Sequence, residues 1–294
     1  MIHVGSLTKR YGDLVAVDDV SFDVQPGELF VLLGPNGAGK TTTVEILEGL
    51  RKADAGEVTV LDSPAGSRQV AEHVGVMPQE SDLYAGIKTE EALRLFASFY
   101  DDHEDPDKLI ERLDLDRVRK TNYRRLSGGE KRRLSLAIAL VGKPKVAFLD
   151  EPTAGMDVEG RATTWSIVDE LKVRGTTVML TTHLLDEAER VADRVAILHR
   201  GKLVALGSPA ELTSGRKNEL TFSVASDIDT DALGAAVGAK VARAAKGVYR
   251  IANMPPTPRL VADVTKWLQT RDVLLRRLDV GPRSLEEFYL EVTR

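Results

Sequence analysis

Short runs of consecutive apolar residues recur through the first 215 residues of the chain. Runs that are apolar throughout, rather than alternating, are typical of strands buried on both faces of a sheet. Five such runs lie at residues 29–33, 58–61, 146–149, 177–181 and 194–198. Between them, the spacing of apolar residues predicts helices at residues 41–50, 130–140, 158–173 and 184–191. Strands that alternate with helices predict an α/β fold with a mostly parallel sheet.

The stretch at about residues 85–145 breaks this alternation. Helical patterns follow one another there with no strand between them, which predicts a helical insertion into the α/β domain. The polar, glycine-containing stretch at residues 213–218 is typical of a linker. We therefore expect one domain at residues 1–215 and a second at residues 216–294.

The pattern after this linker predicts a small α+β domain. Its elements follow the order β-α-β-β-α-β, which is the ferredoxin-like arrangement, and a terminal helix follows at residues 284–292. Thr257 and Pro258 are suited to the cap and the first turn of the second helix.

A glycine-rich motif lies between the first buried strand and the helix after it. Residues 34–41 match the pattern G-x-x-x-x-G-K-[ST]. Glycines let the backbone curl so that its N–H groups face phosphate oxygens, Lys40 adds a cation, and the Thr41 hydroxyl can bind Mg²⁺. A plain glycine-rich turn is the alternative, but the flanking strand and helix supply the context of a nucleotide site. The predicted contacts are Gly34, Pro35, Asn36, Gly37, Ala38, Gly39, Lys40, Thr41 and Thr42.

Two carboxylates, Asp150 and Glu151, follow the buried strand at 146–149. At the carboxyl end of a strand, Asp150 can hold Mg²⁺ through water, and Glu151 can polarise a water for attack on a γ-phosphate. Alone, the pair could be solvated acids at an ordinary strand end. The glycine-rich motif in the same chain favours the catalytic interpretation.

A second anion-binding device opens the helix at 130–140. It reads Leu126-Ser127-Gly128-Gly129-Glu130, and a Ser-Gly-Gly helix start can grip a phosphate. A simple helix cap is the alternative. One nucleotide does not easily need two such grips from one subunit, so we expect a second copy of the chain to supply one of them.

Together, the glycine-rich loop, the Ser127-Gly129 signature and the Asp150-Glu151 pair resemble the ATP-binding subunit of an ATP-binding-cassette (ABC) transporter. The resemblance covers nearly all of residues 1–215 and implies a P-loop NTPase fold that binds ATP and Mg²⁺ and hydrolyses ATP. It also implies a second ATPase subunit, with a homodimer expected, and a membrane-spanning permease. This chain would then lie peripherally at the cytoplasmic face of the cell membrane. Glu130 stands where many relatives have Gln, and we expect no loss of activity from this departure.

The resemblance implies roles for further residues around the nucleotide. Tyr11 matches the aromatic residue that stacks on adenine, with Val17 beside it. Gln79 matches a residue that contacts Mg²⁺ and the attacking water and senses the membrane partner. Judged without the resemblance, Tyr11 is also consistent with a surface aromatic and Gln79 with a solvated loop residue.

Two more positions complete the predicted site. The stretch at 154–157 matches the loop that crosses the dimer interface, so that Asp157 contacts the ATP held by the other subunit. His183 matches the histidine that touches the γ-phosphate, although a lone histidine is more often structural. The predicted Mg²⁺ ligands are Thr41, Gln79 and Asp150.

Composition excludes several classes of function. The chain has 294 residues, a net charge of −5 and no Cys, which excludes disulfides and thiolate metal sites. Aromatic residues make up 5%, and there is no basic excess, so we expect no nucleic-acid partner. The basic run Lys131-Arg132-Arg133 is typical of a solvated helix face. No apolar run is long enough to span a membrane, no signal-peptide pattern begins the chain, and we expect the protein to stay inside the cell.

The closing residues 284–290 resemble the tail of ATPase subunits from daunorubicin-resistance-type exporters. A plain amphipathic helix is the alternative. The resemblance implies export of a drug-like or lipid-like compound, including antibiotic resistance, through a separate permease. A solute importer is a competing interpretation, and so is a cassette ATPase of DNA repair or translation, although such proteins usually carry two cassettes, coiled coils or zinc sites. The sequence does not name the cargo.

Overall fold

The structure is a computed structural model that describes residues 1–79, 83–214, 219–251, 254, 256–281 and 284–293. The chain divides into two compact units, Met1–Pro209 and Ala210–Val292, and each has its own hydrophobic core. The sequence placed a boundary after residue 215. Residues 215–218 of the predicted linker lie outside the described residues, and that boundary stays a prediction.

The first unit holds ten strands and seven complete helices within the described residues. The strands are β1 (Ile2–Tyr11), β2 (Leu14–Val24), β3 (Leu29–Leu33), β4 (Ala55–Val60), β5 (Ser63–Pro64), β6 (Val74–Met77), β7 (Val146–Asp150), β8 (Thr177–Thr182), β9 (Arg194–His199) and β10 (Lys202–Gly207). The helices are α1 (Lys40–Leu47), α2 (Arg68–Ala71), α3 (Thr89–Ala97), α4 (Pro106–Arg112), α5 (Gly128–Val141), α6 (Val158–Val173) and α7 (Leu185–Val191). A short helix, α8 (Pro209–Thr213), begins where this unit ends.

A six-stranded sheet in the order β10-β9-β3-β8-β7-β6 forms the centre of the first unit. Strands β9, β3, β8, β7 and β6 run parallel, and β10 pairs antiparallel with β9 at one edge. Every residue of β3, β7 and β8 is buried. The predicted α/β fold with a mostly parallel sheet is therefore confirmed.

A second, antiparallel sheet in the order β2-β1-β4-β5 was not predicted. Strand β1 alternates between buried and exposed positions, as expected for a sheet with one face on the core. The apolar run at 58–61 was expected in the parallel sheet and belongs instead to β4, which pairs antiparallel with β1. Two sheets share one core, in which Phe22 of β2 stacks on Phe30 of β3 with 5.1 Å between ring centroids.

Residues 85–145 contain helices α3, α4 and α5 with two short 3-10 turns, Asp116–Val118 and Tyr123–Arg125. A single isolated bridge links Lys88 and Asn122 within this described stretch. Helix α5 contacts β6 and β7 through its buried leucines and alanines. The stretch therefore lies between the end of β6 and the start of β7 along the chain, and α5 packs on both strands.

The second unit is a four-stranded antiparallel sheet with helices. Its elements are β11 (Glu219–Val224), α9 (Thr230–Val237), β12 (Val241–Ala245), β13 (Val248–Ile251), α10 (Pro258–Gln269), β14 (Leu275–Gly281) and α11 (Leu285–Val292). The sheet order is β12-β13-β11-β14, with every pairing antiparallel. Thr257 caps α10 by accepting a hydrogen bond from the N–H of Leu260 at 3.1 Å.

Candidate active site

Four parallel strands end at one edge of the central sheet, and each delivers a predicted site residue there. The glycine-rich loop follows β3, Gln79 comes two residues after β6, Asp150 ends β7, and His183 directly follows β8. Ligands of open α/β sheets bind outside the carboxyl ends of the strands. The four segments therefore meet where such a sheet is expected to bind a ligand.

The glycine-rich loop encloses the side chain of Lys40. Its ammonium Nζ donates hydrogen bonds to the carbonyl oxygens of Gly34 at 2.8 Å and Pro35 at 3.2 Å, and the residue is only 6% exposed. Burial lowers the pKa of Lys40, while the carboxylates of Glu151 and Asp150 act in the opposite direction. Lys40 is thus held in place before any ligand arrives.

The loop lies so close to strand β2 that Gly39 cannot carry a side chain. Gly39 has φ +102°, and a Cβ atom there would come within 2.4 Å of the carbonyl oxygen of Ala16. Only glycine satisfies both the backbone conformation and this approach. The antiparallel sheet therefore supports the loop directly, through β2.

A cavity of about 540 Å³ lies over the loop. This volume is within the range of small-molecule and cofactor sites, roughly 300–1,000 Å³. Nine of the predicted residues line it: Tyr11, Asn36, Gly37, Gly39, Lys40, Thr41, Thr42, Gln79 and Glu151. Among the described residues, Leu14, Val15, Ala16 and Arg200 also line it, and none of these four was predicted.

The remaining loop residues and Val17 lie beneath the cavity. Gly34 and Pro35 hold Lys40 through their carbonyl groups, and Ala38 is buried in the core. Val17 is also fully buried and belongs to the core cluster. Its neighbours Val15 and Ala16 line the cavity, and the role predicted for Val17 stays a prediction.

Tyr11 lies at the end of β1 and at the rim of the cavity, with 40% of its surface exposed. Two cations flank its ring: Lys9 Nζ is 5.7 Å from the ring centroid and the Arg51 guanidinium carbon is 5.6 Å from it. These distances are typical of cation–π contacts. Tyr11 is therefore a partly exposed aromatic residue in contact with two cations.

Asp150 ends β7 as a buried carboxyl group with several partners. The hydroxyl of Thr181 on β8 donates to Asp150 Oδ1, and the side chain of Thr41 lies close to this carboxyl. Burial raises the pKa of Asp150, as does the nearby Glu151, while the hydrogen bonds and the charge of Lys40 oppose the rise. Thr41 and Asp150, two predicted Mg²⁺ ligands, are thus brought into contact.

Glu151 turns away from the strand in a left-handed backbone conformation, with φ +48°. Its N–H lies 3.1 Å from Thr181 Oγ1 and 3.2 Å from the Thr181 carbonyl oxygen, which holds this conformation in place. Strained residues of this kind cluster at functional sites. The Glu151 carboxylate contacts His183, with 2.9 Å between Oε1 and Nδ1, so the two predicted catalytic residues form a pair.

The Ser127-Gly129 signature forms the start of α5. Ser127 accepts a hydrogen bond from the N–H of Glu130 at 3.3 Å, and the Glu130 carboxylate accepts one from the N–H of Ser127 at 2.6 Å. This capping box explains why Glu suits a position where Gln is common, because either side chain accepts that hydrogen bond. Among the described residues that line the cavity, none comes from this signature.

Asp157 caps α6 by accepting a hydrogen bond from the N–H of Gly160 at 2.8 Å. The residue before it, Met156, is close to the signature helix: a Cβ atom on Gly129 would lie 4.0 Å from Met156 Cα. The structure therefore brings the signature and the predicted interface loop together. Like the signature, Asp157 is not among the described residues that line the cavity.

The donors at the cavity fit a magnesium ion bound together with phosphate. Among the described residues, no group of three or more His, Cys, Asp or Glu side chains could hold a metal by itself. Mg²⁺ is usually bound by one or two carboxylates, waters and substrate phosphates rather than by an all-protein cage. A Thr41 hydroxyl in contact with a buried Asp150 carboxyl, beside the phosphate loop, matches that donor set.

Sequence reasoning missed two residues at this edge, Thr181 and Arg132, and a third, Glu48, at the C-terminal end of α1. Thr181 was treated as part of a strand, although it contacts both Asp150 and Glu151. Arg132 was placed on a solvated face, and Glu48 at the end of α1 was not considered. A polar residue at the carboxyl end of a buried strand was the available signal for Thr181.

No helix among the described residues is both long enough and apolar enough to cross a membrane.

Comparison with known protein families matches residues 17–154 to the ABC transporter family. The matched segment begins on β2 and ends just after Glu151, so it includes the glycine-rich loop, the signature and the Asp150-Glu151 pair.

Individual proteins agree with this match. The chain is 43% identical over 211 residues to the Nod factor export ATP-binding protein I of Burkholderia thailandensis, a region that covers 69% of each protein. It is 38% identical over 226 residues to the probable multidrug ABC transporter ATP-binding protein YbhF of Escherichia coli K12, covering 74% of this chain and 39% of that protein. The dimeric structure of MJ0796, a bacterial ABC transporter cassette, is similar at 25% identity and a TM-score of 0.65, covering 71% of this chain and 98% of that chain.

Glu48 generates a prediction about stability. Its Oε1 atom is buried without a hydrogen-bond partner in the described structure, and burial raises the pKa of Glu48 to about 7, with further contributions from Asp150 and Glu45. An unfolded Glu has a pKa near 4.3, so between about pH 4.5 and 7 only the folded chain holds this proton. The free energy of unfolding therefore falls as the pH rises through this range, and Glu48→Gln removes this fall.

We expect the stabilising effect of Glu48→Gln on the metal-free protein to grow by about 2 kcal/mol between pH 5 and pH 8. Urea unfolding followed by Trp165 fluorescence measures it, in a Trp267→Phe background that leaves one tryptophan, in the first unit. Glu57→Gln, at an exposed position, is the matched control. A benefit of the same size at both pH values would contradict the prediction.

Proposed function

The chain belongs to the ABC transporter family as an ATPase, and we propose that it hydrolyses MgATP over the glycine-rich loop to drive export through a separate permease. The observation that supports this proposal best is the position of the Lys40 ammonium. Two loop carbonyls hold it at the edge where Asp150 and Glu151 also lie. A buried cation below a 540 Å³ cavity suits the β- and γ-phosphates of a nucleotide. Tyr11 at the rim offers its ring to the base.

We assign the magnesium ion to Thr41 and Asp150. Gln79, which lines the same cavity, is the third proposed ligand. When bound, Mg²⁺ neutralises charge that develops on the β- and γ-phosphate oxygens. Asp150 is held by Thr181 and Thr41 at a fixed position, so it can orient a coordinated water without rearrangement. The pKa of Asp150, raised by burial, favours a nearby cation as the partner of its charged form.

Glu151 is the group we assign to the attacking water. Its carboxylate lines the cavity at the end of β7, and the hydrogen bonds of its backbone N–H to Thr181 fix the direction of the side chain. His183 contacts the same carboxylate through Nδ1, and we assign Nε2 to a γ-phosphate oxygen. Both partners are acceptors, so this role requires the protonated ring, in which both nitrogens carry an N–H. Glu151 and His183 then act side by side, one on the attacking water and the other on a γ-phosphate oxygen.

A second copy of the chain completes the proposed site. The signature helix start carries backbone N–H groups and a Ser127 hydroxyl on an exposed surface, as an anion site would. The described lining of the cavity contains neither Ser127 nor Asp157. We therefore place ATP between Lys40 of one subunit and Ser127-Gly129 of the other, in a homodimer.

The permease partner is proposed to dock on the helical insertion. Leu95 and Phe99 are exposed apolar side chains four residues apart, and Tyr84, 80% exposed, lies a few residues after Gln79. Exposed apolar clusters of this kind mark interaction surfaces. Docking there would place the chain at the cytoplasmic face of the membrane and beside Gln79. The names of the relatives, a Nod factor export protein and a probable multidrug transporter protein, support export, and we propose a drug-like or lipid-like compound as the cargo.

Lys40→Ala is expected to lower ATP hydrolysis at least about a hundredfold, because the phosphates lose their fixed cation. Phosphate release by the purified chain with MgATP measures the loss. Lys52→Ala, which removes an exposed lysine outside the cavity, is the matched control and should hydrolyse ATP at the wild-type rate. Near-normal hydrolysis by Lys40→Ala would place the active site elsewhere.

Glu151→Gln is expected to bind MgATP without turnover and to accumulate as a closed dimer. The substitution keeps the size of the side chain and removes the charge that orients the water. Size-exclusion chromatography with and without MgATP measures the dimer. The double variant with Gly129→Asp should remain monomeric, because a carboxylate would lie where the γ-phosphate binds.

Gly129→Asn is the size-matched control for that double variant. A Cβ atom on Gly129 has no neighbour nearer than 4.0 Å, so both substitutions begin from the same uncrowded position. Equal loss of dimer with Asn and Asp would point to a steric rather than an electrostatic cause. Normal hydrolysis by Glu151→Gln would refute the role of its carboxylate.

A chain that ends at residue 215 is expected to bind ATP with a Kd within about threefold of the full chain, a change below ~1 kcal/mol. Every residue that lines the cavity lies in the first unit. Titration with a fluorescent ATP analogue in the Glu151→Gln background measures the Kd. We expect this shorter chain to dimerise or to couple to the permease less well, and a folded shorter chain without ATP binding would show that the second unit contributes to the site.

A further inference from the structure

The basic run Lys131-Arg132-Arg133 on α5 is engaged with the protein rather than solvated, which corrects the sequence-based interpretation. Lys131 Nζ lies 4.9 Å from the ring centroid of Tyr123. Arg133 Nη2 donates to the carbonyl oxygen of Asp114 at 3.5 Å. Arg132 faces the sheet edge that carries the proposed catalytic residues.

Arg132 joins two strands at the point where they separate. Its Nη1 donates to the carbonyl oxygens of Pro78 and Asp150, at 3.2 Å each. Strands β6 and β7 pair in parallel, and Met77 with Leu149 is their last registered pair. The two carbonyls belong to the next residues along each strand, so the guanidinium bridges the strands directly beyond their ladder.

Each bridged carbonyl precedes a residue of the proposed hydrolytic machinery. Gln79 follows Pro78, and Glu151 follows Asp150, and both side chains line the cavity. A peptide carbonyl and the N–H of the next residue share one rigid plane. The two hydrogen bonds that hold these carbonyls therefore also hold the backbone nitrogens of Gln79 and Glu151 in position.

Arg132 is also one helical turn from the signature. Helix α5 begins at Gly128, and Arg132 is four residues further along the same helix. If the helix moves as a rigid body, a displacement of its first turn also displaces the Cα atom of Arg132. One side chain thus connects the signature to Gln79 and Glu151.

We propose that Arg132 is a positioning residue that couples the two ATP sites of the homodimer, by linking the signature helix of a subunit to the Gln79 and Glu151 of that same subunit. The inference rests on the proposed function. In the proposed dimer, the signature of one subunit grips the ATP bound by its partner, whereas Glu151 acts on the ATP bound by its own Lys40. Occupancy of one site is therefore communicated to the water-activating residue of the other site through Arg132.

The test compares Arg132→Met and Arg132→Lys in the full chain by steady-state ATP hydrolysis over a range of ATP concentrations. Methionine keeps a long apolar stem and removes all donors, whereas lysine keeps a cationic donor. Lys131→Met, the neighbouring position on the same helix, is the matched control. Thermal unfolding and ATP binding by each variant accompany the kinetics.

We expect Arg132→Met to lower kcat about 10- to 100-fold, because small misplacement of catalytic groups costs about that much. KM for ATP should stay within about threefold, since the residues around Lys40 are unchanged. The Hill coefficient for ATP should be above 1 in the wild-type chain and fall to 1 in Arg132→Met. Arg132→Lys should recover part of kcat and of the Hill coefficient, and Lys131→Met should match the wild type.

Several outcomes would overturn the inference. One is a wild-type kcat and Hill coefficient in Arg132→Met, and another is a wild-type chain with a Hill coefficient of 1. A kcat loss accompanied by an equal loss of ATP affinity or of thermal stability would show a merely structural role. A folded Arg132→Lys no more active than Arg132→Met would exclude the hydrogen bonds as the cause. Failure of the proposed function is distinguishable, because then the wild-type chain itself would not hydrolyse ATP or would not depend on Lys40.

Discussion

Parallel pairing of four buried strands is the constraint on which the site depends. Neighbouring strands of a sheet lie about 4.8 Å apart, and their hydrogen bonds set the register between them. Strands β3, β8, β7 and β6 are adjacent in that order. The segments that follow them can therefore leave the sheet only at neighbouring positions along one edge. The distances among the loop of Lys40, His183, Glu151 and Gln79 are consequences of this pairing.

The same burial determines the electrostatics of the edge. Lys40 and Asp150 both lie largely out of water, and burial disfavours the charged form of each, lowering the pKa of the lysine and raising the pKa of the carboxyl group. Without a ligand, each charge is stabilised mainly by its protein neighbours. A phosphate would satisfy Lys40, and a divalent cation would satisfy Asp150. The site is thus most complete electrostatically with both ligands together, which is the composition of a magnesium nucleotide.

The sequence predicted what depends on local pattern and missed what depends on distant contacts. The strand at residues 29–33 and the helix at 158–173 were predicted to the residue, because continuous apolar runs and helical periodicity are local signals. Strands β1 and β2 alternate instead, and a search for wholly apolar runs does not detect them. Val17 was named beside Tyr11 through the family resemblance alone, and its side chain packs in the core, whereas Val15 and Ala16 line the cavity. The contacts of Arg132 join residues 78, 132 and 150, and no local pattern reveals such a bridge.

The two cations beside Tyr11 have a consequence for the entropy of binding. A long exposed side chain or a free aromatic ring loses rotational freedom when a ligand orders it, and that loss is subtracted from the affinity. Here Lys9 and Arg51 already flank the ring, and their own partners, Asp54 and Glu45, hold them in place. A base that stacked on Tyr11, as proposed, would contact a side chain whose rotation is already restricted in the folded chain. The ordering cost at this end of the cavity therefore belongs to folding rather than to each cycle of nucleotide binding.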